Sequence, residues 1–311
     1  MPNENPPRPA FFERIVTLLH ALNLYGAVGL AVFGWAIGAL IDQPTGQWVP
    51  LWFCAALLIY NADRLRRDPA DALNVPARTA ASARLRTASA VTLTLAALVL
   101  IGFPLSRRDW VMLYFICAGA IISLAYSIPV LGLRGKDIPL LKTLFPPAVI
   151  TAAIFGPILF LAALAHPYAT HVADRYLMAD WFVYLAGLAA WTFTYLLFNM
   201  LLCDLRDLPG DGQCGIRSIP VLWGEKGARR LLWALAVGAQ LLIAFLIRDR
   251  YLERAPLACL ALLTGLYQGY LLHATRRPRG ERFYEWAVEG LLFLPALALG
   301  LTHLLDCLLS E

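Results

Sequence analysis

The sequence predicts an all-α, polytopic membrane protein with nine transmembrane helices in one bundle. Of its 311 residues, 59% are hydrophobic and only 15% are charged, and the mean hydropathy is +0.63. Ordinary soluble domains have roughly 45–50% apolar and about 25% charged residues. A chain this apolar cannot cover a water-exposed surface with polar groups. The composition also excludes a disordered chain, a coiled coil and a disulfide-rich secreted domain.

Nine apolar segments are long enough to cross a bilayer as helices, which takes roughly 17–25 residues. Because lipid cannot hydrogen-bond to the backbone, each segment must satisfy its own polar groups, and this favours helices over isolated strands. The predicted spans are residues 17–41, 48–65, 88–105, 110–129, 142–165, 181–203, 230–247, 256–274 and 285–308. A polar, proline-rich tail (residues 1–14) precedes a single membrane domain over residues 15–311.

The basic residues are distributed unequally between the two sides of the predicted bundle. With the N-terminus in the cytoplasm, 20 of the 26 Lys and Arg residues fall on the cytoplasmic side and 6 on the other. The positive-inside rule therefore favours this orientation. We expect an integral protein of a bacterial inner (plasma) membrane, with its N-terminus and active site cytoplasmic. The net charge of +5 is not gathered on one polar face, so no nucleic-acid partner is expected.

An acidic cluster closes the sixth predicted span. Asp204, Asp207 and Asp211 are spaced i, i+3 and i+7, so on a helix they share one face. Three carboxylates on one face repel each other unless a cation holds them. Hard oxygen ligands suit Mg²⁺, which normally bridges to a phosphate. The cluster is therefore a candidate catalytic metal site, with Asn199 and Arg206 as candidate contacts for a diphosphate.

Another acidic cluster, the first in chain order, closes the second span. Asn61, Asp63 and Asp68 are its candidate metal ligands, the two aspartates are also candidate catalytic residues, and Asn61 and Arg64 are candidate diphosphate contacts. One such cluster is commonly an interfacial helix cap beside arginine counter-ions. Two clusters on the same side favour a functional site, because ionisable groups near the membrane interior are costly.

Basic residues on the same side complete the predicted site. Arg134 and Lys136 lie in the loop after the fourth span, Lys142 starts the fifth, and Arg78 follows the first acidic cluster. A basic stretch alone is commonly a topological anchor. Beside two acidic clusters, these side chains are placed to bind phosphate oxygens opposite a carboxylate-bound metal.

With these motifs the sequence resembles the UbiA superfamily of membrane prenyltransferases, which have nine transmembrane helices and aspartate-rich motifs after the second and sixth helices. The family's D-x-x-D-x-x-x-D motif is matched by the cluster of the sixth span. Its G-x-x-[ST]-x-P-V-x-x-G continuation is matched by Gly215, Ser218, Pro220, Val221 and Gly224. The Tyr126-Ser127-Ile128-Pro129 turn is similar to the start of the family's basic loop. The first motif departs from N-D-x-x-D-x-x-x-D, because Ala62, Leu65 and Pro69 stand at its aspartate positions.

The resemblance implies Mg²⁺-dependent transfer of a prenyl group from a polyprenyl diphosphate to an aromatic or other lipophilic acceptor. The metal and the basic residues would neutralise the charge that develops on the leaving diphosphate. Candidates to shield the carbocation by cation–π contact are Tyr60, Tyr126, Trp191, Tyr195 and Phe198. The expected partners are the isoprenoid diphosphate, the acceptor and membrane lipid, and no protein partner is predicted.

Two alternatives stay open. The altered first motif is compatible with an intramolecular terpene cyclase on the same scaffold. The other alternative is a non-catalytic or transport protein, although a transporter would more often show broken spans and ionisable groups near mid-bilayer.

Overall fold

All regular structure in the described part of the chain is helical. The computed structural model describes residues 11–43, 45–65, 69–127, 134–165, 172–248 and 254–310. The helices are α1 (Phe11–Ala21), α2 (Leu24–Leu40), α3 (Val49–Leu65), α4 (Pro69–Asn74), α5 (Pro76–Arg84), α6 (Arg86–Arg107), α7 (Trp110–Ser127), α8 (Leu141–Ala165), α9 (Val172–Gln213), α10 (Ile219–Arg248), α11 (Arg254–Ala274) and α12 (Glu281–Leu309). Short 3₁₀ turns occupy Thr45–Trp48 and Gly135–Asp137.

The predicted all-α membrane architecture is confirmed, but the count of nine spans is not. Among the described residues, six helices are long and apolar enough to cross a membrane, namely α6, α8, α9, α10, α11 and α12. A seventh span is possible if α1 and α2 count as one, although the two helices are bent by 66°. The bend lies at Asn23, which has a left-handed backbone with φ of 57°. The segment 17–41 was thus wrongly predicted as one continuous helix.

The long helices form a ring in which each packs on the next. In order these are α2, α3, α6, α7, α8, α9, α10, α11 and α12, and α12 returns to pack on α2. The short helices α4 and α5 contact α9 and α1, respectively. Glu281, at the start of α12, accepts hydrogen bonds from the backbone N–H groups of Ala77 and Arg78 at 3.1 Å each. These contacts bring α5 and the start of α12 to one end of the ring.

Helix α9 is the most enclosed of the six long helices. In its most apolar stretch 56% of residues are buried, against 22–33% in the other five. Trp191 stacks on Tyr195 with ring centroids 4.8 Å apart, and Tyr195 stacks on Phe33 at 6.0 Å. Trp191, Tyr195 and Phe198 have no exposed surface, so these three cation-shielding candidates are packed in the core of the bundle.

Helix α12 loses regular α-helical geometry over its second and third turns. Tyr284–Val288 form a π turn and Glu289–Phe293 a 3₁₀ turn. Such irregularities release backbone carbonyls, which need other donors inside a membrane. Three side chains supply these bonds. Tyr267 donates to Ala287 O at 2.9 Å, Asn199 to Val288 O at 2.8 Å and Tyr195 to Leu291 O at 2.8 Å. Hydrogen bonds from α9 and α11 therefore stabilise the irregular turns of α12.

Candidate active site

The second acidic cluster lies on the last turns of α9, which end in a glycine cap. The Ile216 N–H donates to the Asp211 carbonyl at 2.9 Å, the 6→1 bond of a Schellman motif. Gly215 supplies the left-handed residue that this cap requires, with φ of 73°. Gly224 has φ of 70° and interrupts α10 near its start. Both glycines that follow the aspartates thus have a backbone role.

The three carboxylates of this cluster surround one ammonium group. Lys142 Nζ lies 2.7 Å and 2.5 Å from the Oδ1 and Oδ2 atoms of Asp211. It also lies 3.7 Å from Asp204 Oδ1 and 3.8 Å from Asp207 Oδ2. We call these three aspartates the aspartate triad. Their side chains are 0–12% exposed and that of Lys142 is 19% exposed, so the charges meet in a nearly closed environment.

The convergence of the triad agrees with its i, i+3, i+7 spacing. The predicted contact of Lys142 with a diphosphate stays a prediction, and here its ammonium lies between the carboxylates. The physical reason is that three buried carboxylates repel each other strongly, and a cation between them relieves that repulsion. Lys142 starts the neighbouring helix α8 and its long side chain reaches the centre of the triad.

Thr143 is a site residue that the sequence analysis missed. Its hydroxyl donates to Asp204 Oδ2 and accepts from the Ile219 N–H at 3.3 Å. Its side chain is completely buried. A single hydroxyl therefore joins α8 to the acidic end of α9 and to the start of α10. A threonine in an apolar helix gives no sequence signal for such a contact.

Arg206 forms a second charge pair inside the site. Its Nε donates to Asp207 Oδ1 at 2.8 Å and its Nη2 to Asp207 Oδ2 at 3.2 Å, and the guanidinium lies over the Tyr284 ring with Cζ 5.3 Å from the centroid. The predicted diphosphate contact of Arg206 stays a prediction, because this side chain is bound to the triad here. The bidentate pair fixes Asp207 between two cations.

The loop before α8 explains how Lys142 reaches the triad. The Leu140 N–H donates to the Arg217 carbonyl at 3.0 Å, which ties this loop to the segment after α9. Tyr126, near the end of α7, stacks in parallel on Phe145 of α8 with centroids 4.2 Å apart. Together these contacts hold the first turn of α8 against the end of α9.

The basic residues of this loop point to different surroundings. Arg134 forms a bidentate pair with Asp137, with Nε–Oδ2 at 2.9 Å and Nη2–Oδ1 at 2.8 Å, and both side chains are about one-third exposed. Lys136 is 8% exposed. Arg78, at the start of α5, is half-buried, and its charge acts on Asp207. Their predicted diphosphate contacts stay predictions.

Asn74, at the end of α4, joins this helix to the aspartate triad. Its Oδ1 accepts from the Gly210 N–H at 2.8 Å, and its Nδ2 donates to Asp211 Oδ1 at 3.4 Å. A Cβ at Gly210 would lie only 2.3 Å from Asn74 Oδ1. Gly210 therefore permits the approach of α4 to α9. This contact was not predicted from the sequence.

The first motif is only partly described. Asn61 is fully buried, and its Nδ2 donates to the carbonyls of Leu22 at 3.0 Å and Leu57 at 2.9 Å. Asn61 Oδ1 has no hydrogen-bond partner among the described residues, so it can accept one from a ligand. Asp68 and the side chains of Asp63 and Arg64 lie outside the described residues.

The donor set of the triad is suited to a hard cation. Carboxylate oxygens are the ligands that Mg²⁺ prefers, and all three carboxylates already face one cationic point. In the described part of the chain, no group of three or more His, Cys, Asp or Glu side chains has the geometry of a formed metal site. The triad instead surrounds Lys142.

Comparisons with known proteins relate this chain to one family. The model of the UbiA prenyltransferase family matches residues 68–294. Among solved structures, a UbiA homolog from Archaeoglobus fulgidus bound to DMAPP and Mg²⁺ matches with a TM-score of 0.56 and 13% identity, over 91% of this chain and 98% of that chain. This likeness shows a shared fold. No curated protein matches the sequence significantly.

Proposed function

Since the chain belongs to the UbiA prenyltransferase family, we propose that it transfers a prenyl group from a polyprenyl diphosphate to an aromatic or other lipophilic acceptor, with Mg²⁺ as cofactor. The observation that carries this proposal is the buried aspartate triad with Lys142 and Arg206 beside it. The structurally similar archaeal protein binds DMAPP and Mg²⁺, which supports the same ligand classes here.

The residues have distinct roles in this proposal. Asp204, Asp207 and Asp211 hold the metal, together with Asn61, Asp63 and Asp68 of the first motif. The groups that bind diphosphate oxygens are Asn61, Arg64, Arg78, Arg134, Lys136, Lys142, Asn199 and Arg206. Mg²⁺ held by these residues would supply positive charge that stabilises the diphosphate as a leaving group. The protein cations add preorganised positive charge at the same place.

The apolar part of the reaction belongs to the bundle. The isoprenoid and the acceptor partition into the bilayer, and the charged residues meet at one end of the helices. We propose that this end faces the cytoplasm of a bacterium, because the basic residues are concentrated on that side. A polar diphosphate then reaches the site from water while its prenyl chain stays among apolar side chains.

The test uses membranes that contain the full chain and a labelled polyprenyl diphosphate. Asp204→Asn should lower Mg²⁺-dependent release of diphosphate by about 100-fold or more, the usual scale for one electrostatic group at a reaction centre. Asp306→Asn, which changes an exposed carboxylate near the end of α12, is the matched control and should keep wild-type turnover. Unchanged turnover in Asp204→Asn would contradict the proposal.

A cyclase is a second candidate, favoured by Ala62 and Leu65 at aspartate positions of the first motif. Product analysis without an added acceptor separates the two. A cyclic hydrocarbon identifies a cyclase, whereas product that forms only with acceptor identifies transfer. Failure of the purified protein to bind Mg²⁺ together with diphosphate would favour the non-catalytic alternative.

A further inference from the structure

The ammonium of Lys142 lies at the point where the three carboxylates of the aspartate triad converge. Its ammonium is within 3.8 Å of all three carboxylates and within 2.7 Å of both oxygens of Asp211. A divalent ion bound by the same oxygens would meet this ammonium at contact distance. Two cations in one nearly closed space repel each other, so the two cannot occupy the centre of the triad together.

The positive side chains of the site nearly balance the negative charge of the aspartate triad without a metal. Three carboxylates carry three negative charges, and Lys142 and Arg206 supply two positive ones at hydrogen-bond distance of the triad. Arg78 adds further positive potential at Asp207. The enclosed site is therefore close to neutral, and a metal ion alone gains little by entering it.

The side chain of Lys142 can leave the triad. A lysine ammonium is a point charge on a flexible four-carbon stem, unlike the rigid guanidinium of an arginine. Lys142 also keeps 19% of its surface exposed, more than any member of the triad. An anion that reaches the exposed part of Lys142 can draw the ammonium away, and the triad then has room for a metal.

We propose that Lys142 is a placeholder cation, which fills the aspartate triad until diphosphate arrives and so makes metal binding dependent on diphosphate binding. This role rests on the proposed function, since it assumes that Mg²⁺ and a diphosphate share the site. Lys142 then moves from the carboxylates to the diphosphate oxygens as the metal enters. The metal and the diphosphate bind cooperatively, and each raises the affinity for the other by the same factor.

The experiment measures protein-bound manganese after equilibrium dialysis of the full chain in detergent, with and without inorganic diphosphate. Wild-type protein should bind Mn²⁺ weakly alone and about tenfold or more tightly with diphosphate, within the usual range of coupling between sites. Lys142→Met should bind Mn²⁺ tightly without diphosphate, and its gain on adding diphosphate should largely disappear. Lys142→Arg keeps the charge and should resemble wild type in weak diphosphate-free binding.

Lys226→Met is the matched control, because it removes a lysine that is exposed on α10. It should bind manganese as the wild type does in both conditions. Thermal unfolding gives a second measurement if Lys142→Met folds poorly. Mn²⁺ alone should raise the melting temperature of Lys142→Gln and leave that of the wild type unchanged.

The outcomes separate this inference from the proposed function. If wild-type protein binds no manganese even with diphosphate, the proposed metal–diphosphate function is wrong. If it binds manganese equally well with and without diphosphate, or if Lys142→Met gains no diphosphate-free affinity, Lys142 is a purely structural ion pair. The placeholder role is then overturned, while the function stands.

Discussion

The end of α9 and the segment that follows α3 contribute different chemistry to one site. The end of α9 brings three carboxylates around Lys142, and Thr143 and Arg206 are bound to individual members of this triad. On the segment that follows α3, the amide of Asn74 bonds to Gly210 and Asp211 of α9. The end of α9 is therefore the charge centre of the site, and α4 holds that centre in place.

This difference follows from the residues at corresponding motif positions. Where the family has aspartates in the first motif, this chain has Ala62 and Leu65. The side-chain amide of Asn61 donates both of its hydrogens to backbone carbonyls, one in α3 and one in the turn after α1. The second motif keeps its aspartates and both glycines whose positive φ shapes the helix ends. The largest functional losses should therefore come from the end of α9.

The strongest test compares one carboxylate from each segment. Asp211→Asn should reduce diphosphate release by about 100-fold or more, because it removes the closest charge partner of Lys142 from a closed site. Asp71→Asn, in α4, should cost less than about tenfold, equal to about 1.4 kcal/mol. Both are measured as turnover in membranes, normalised to folded protein. Equal losses would show that the first segment carries as much of the charge as α9.

Thr143→Val should have the next largest effect, on stability. The substitution keeps the volume but leaves Asp204 and the Ile219 N–H without their shared hydroxyl in a buried environment. A buried group that loses its partner costs about 1–3 kcal/mol. The melting temperature in detergent should fall clearly, and Thr94→Val is the control because its exposed hydroxyl only bonds within α6. No change relative to that control would mean that the α8–α9 junction is held by the charges alone.

The sequence predicted the aspartate triad but not the contacts that hold it in place. Apolar segment lengths predicted the all-α membrane architecture though not the number of spans, and the i, i+3, i+7 spacing predicted that the triad converges, because both are local properties of a helix. Thr143 and Asn74 act across helix contacts, and neither residue type marks such a role in advance. The sequence also could not tell whether Lys142 binds a phosphate or a carboxylate, since that depends on which charge lies nearest after folding.

Two features of the backbone escaped prediction for a related reason. The bend at Asn23 and the irregular turns of α12 both lie in segments whose overall hydropathy predicts uninterrupted helices. Their stability depends on tertiary donors such as Tyr195 and Asn199, which supply hydrogen bonds to the released carbonyls of α12. Only the packed structure shows where those donors are.

Gly210→Ala tests the amide support of α4 with a moderate expected effect. In wild-type protein the new Cβ displaces Asn74 and breaks its bonds to α9, so stability should fall by about 1 kcal/mol. In an Asn74→Ala background the clash is gone, and the higher helix propensity of alanine should make the same change neutral or stabilising by up to about 1 kcal/mol. Melting temperatures of the four proteins complete a double-mutant cycle. An equal effect in both backgrounds would contradict the proposed contact.

The smallest effect is expected outside the triad, at the Arg134–Asp137 pair. This pair is bidentate, but both side chains are about one-third exposed, so water and salt screen it far more than the pairs of Lys142. Asp137→Asn should therefore change stability by less than about 1 kcal/mol, and the difference from wild type should shrink further at high salt. Melting temperatures at low and high ionic strength measure both expectations. A loss as large as that of Thr143→Val would show that this loop, and not the buried network, fixes the start of α8 against α9.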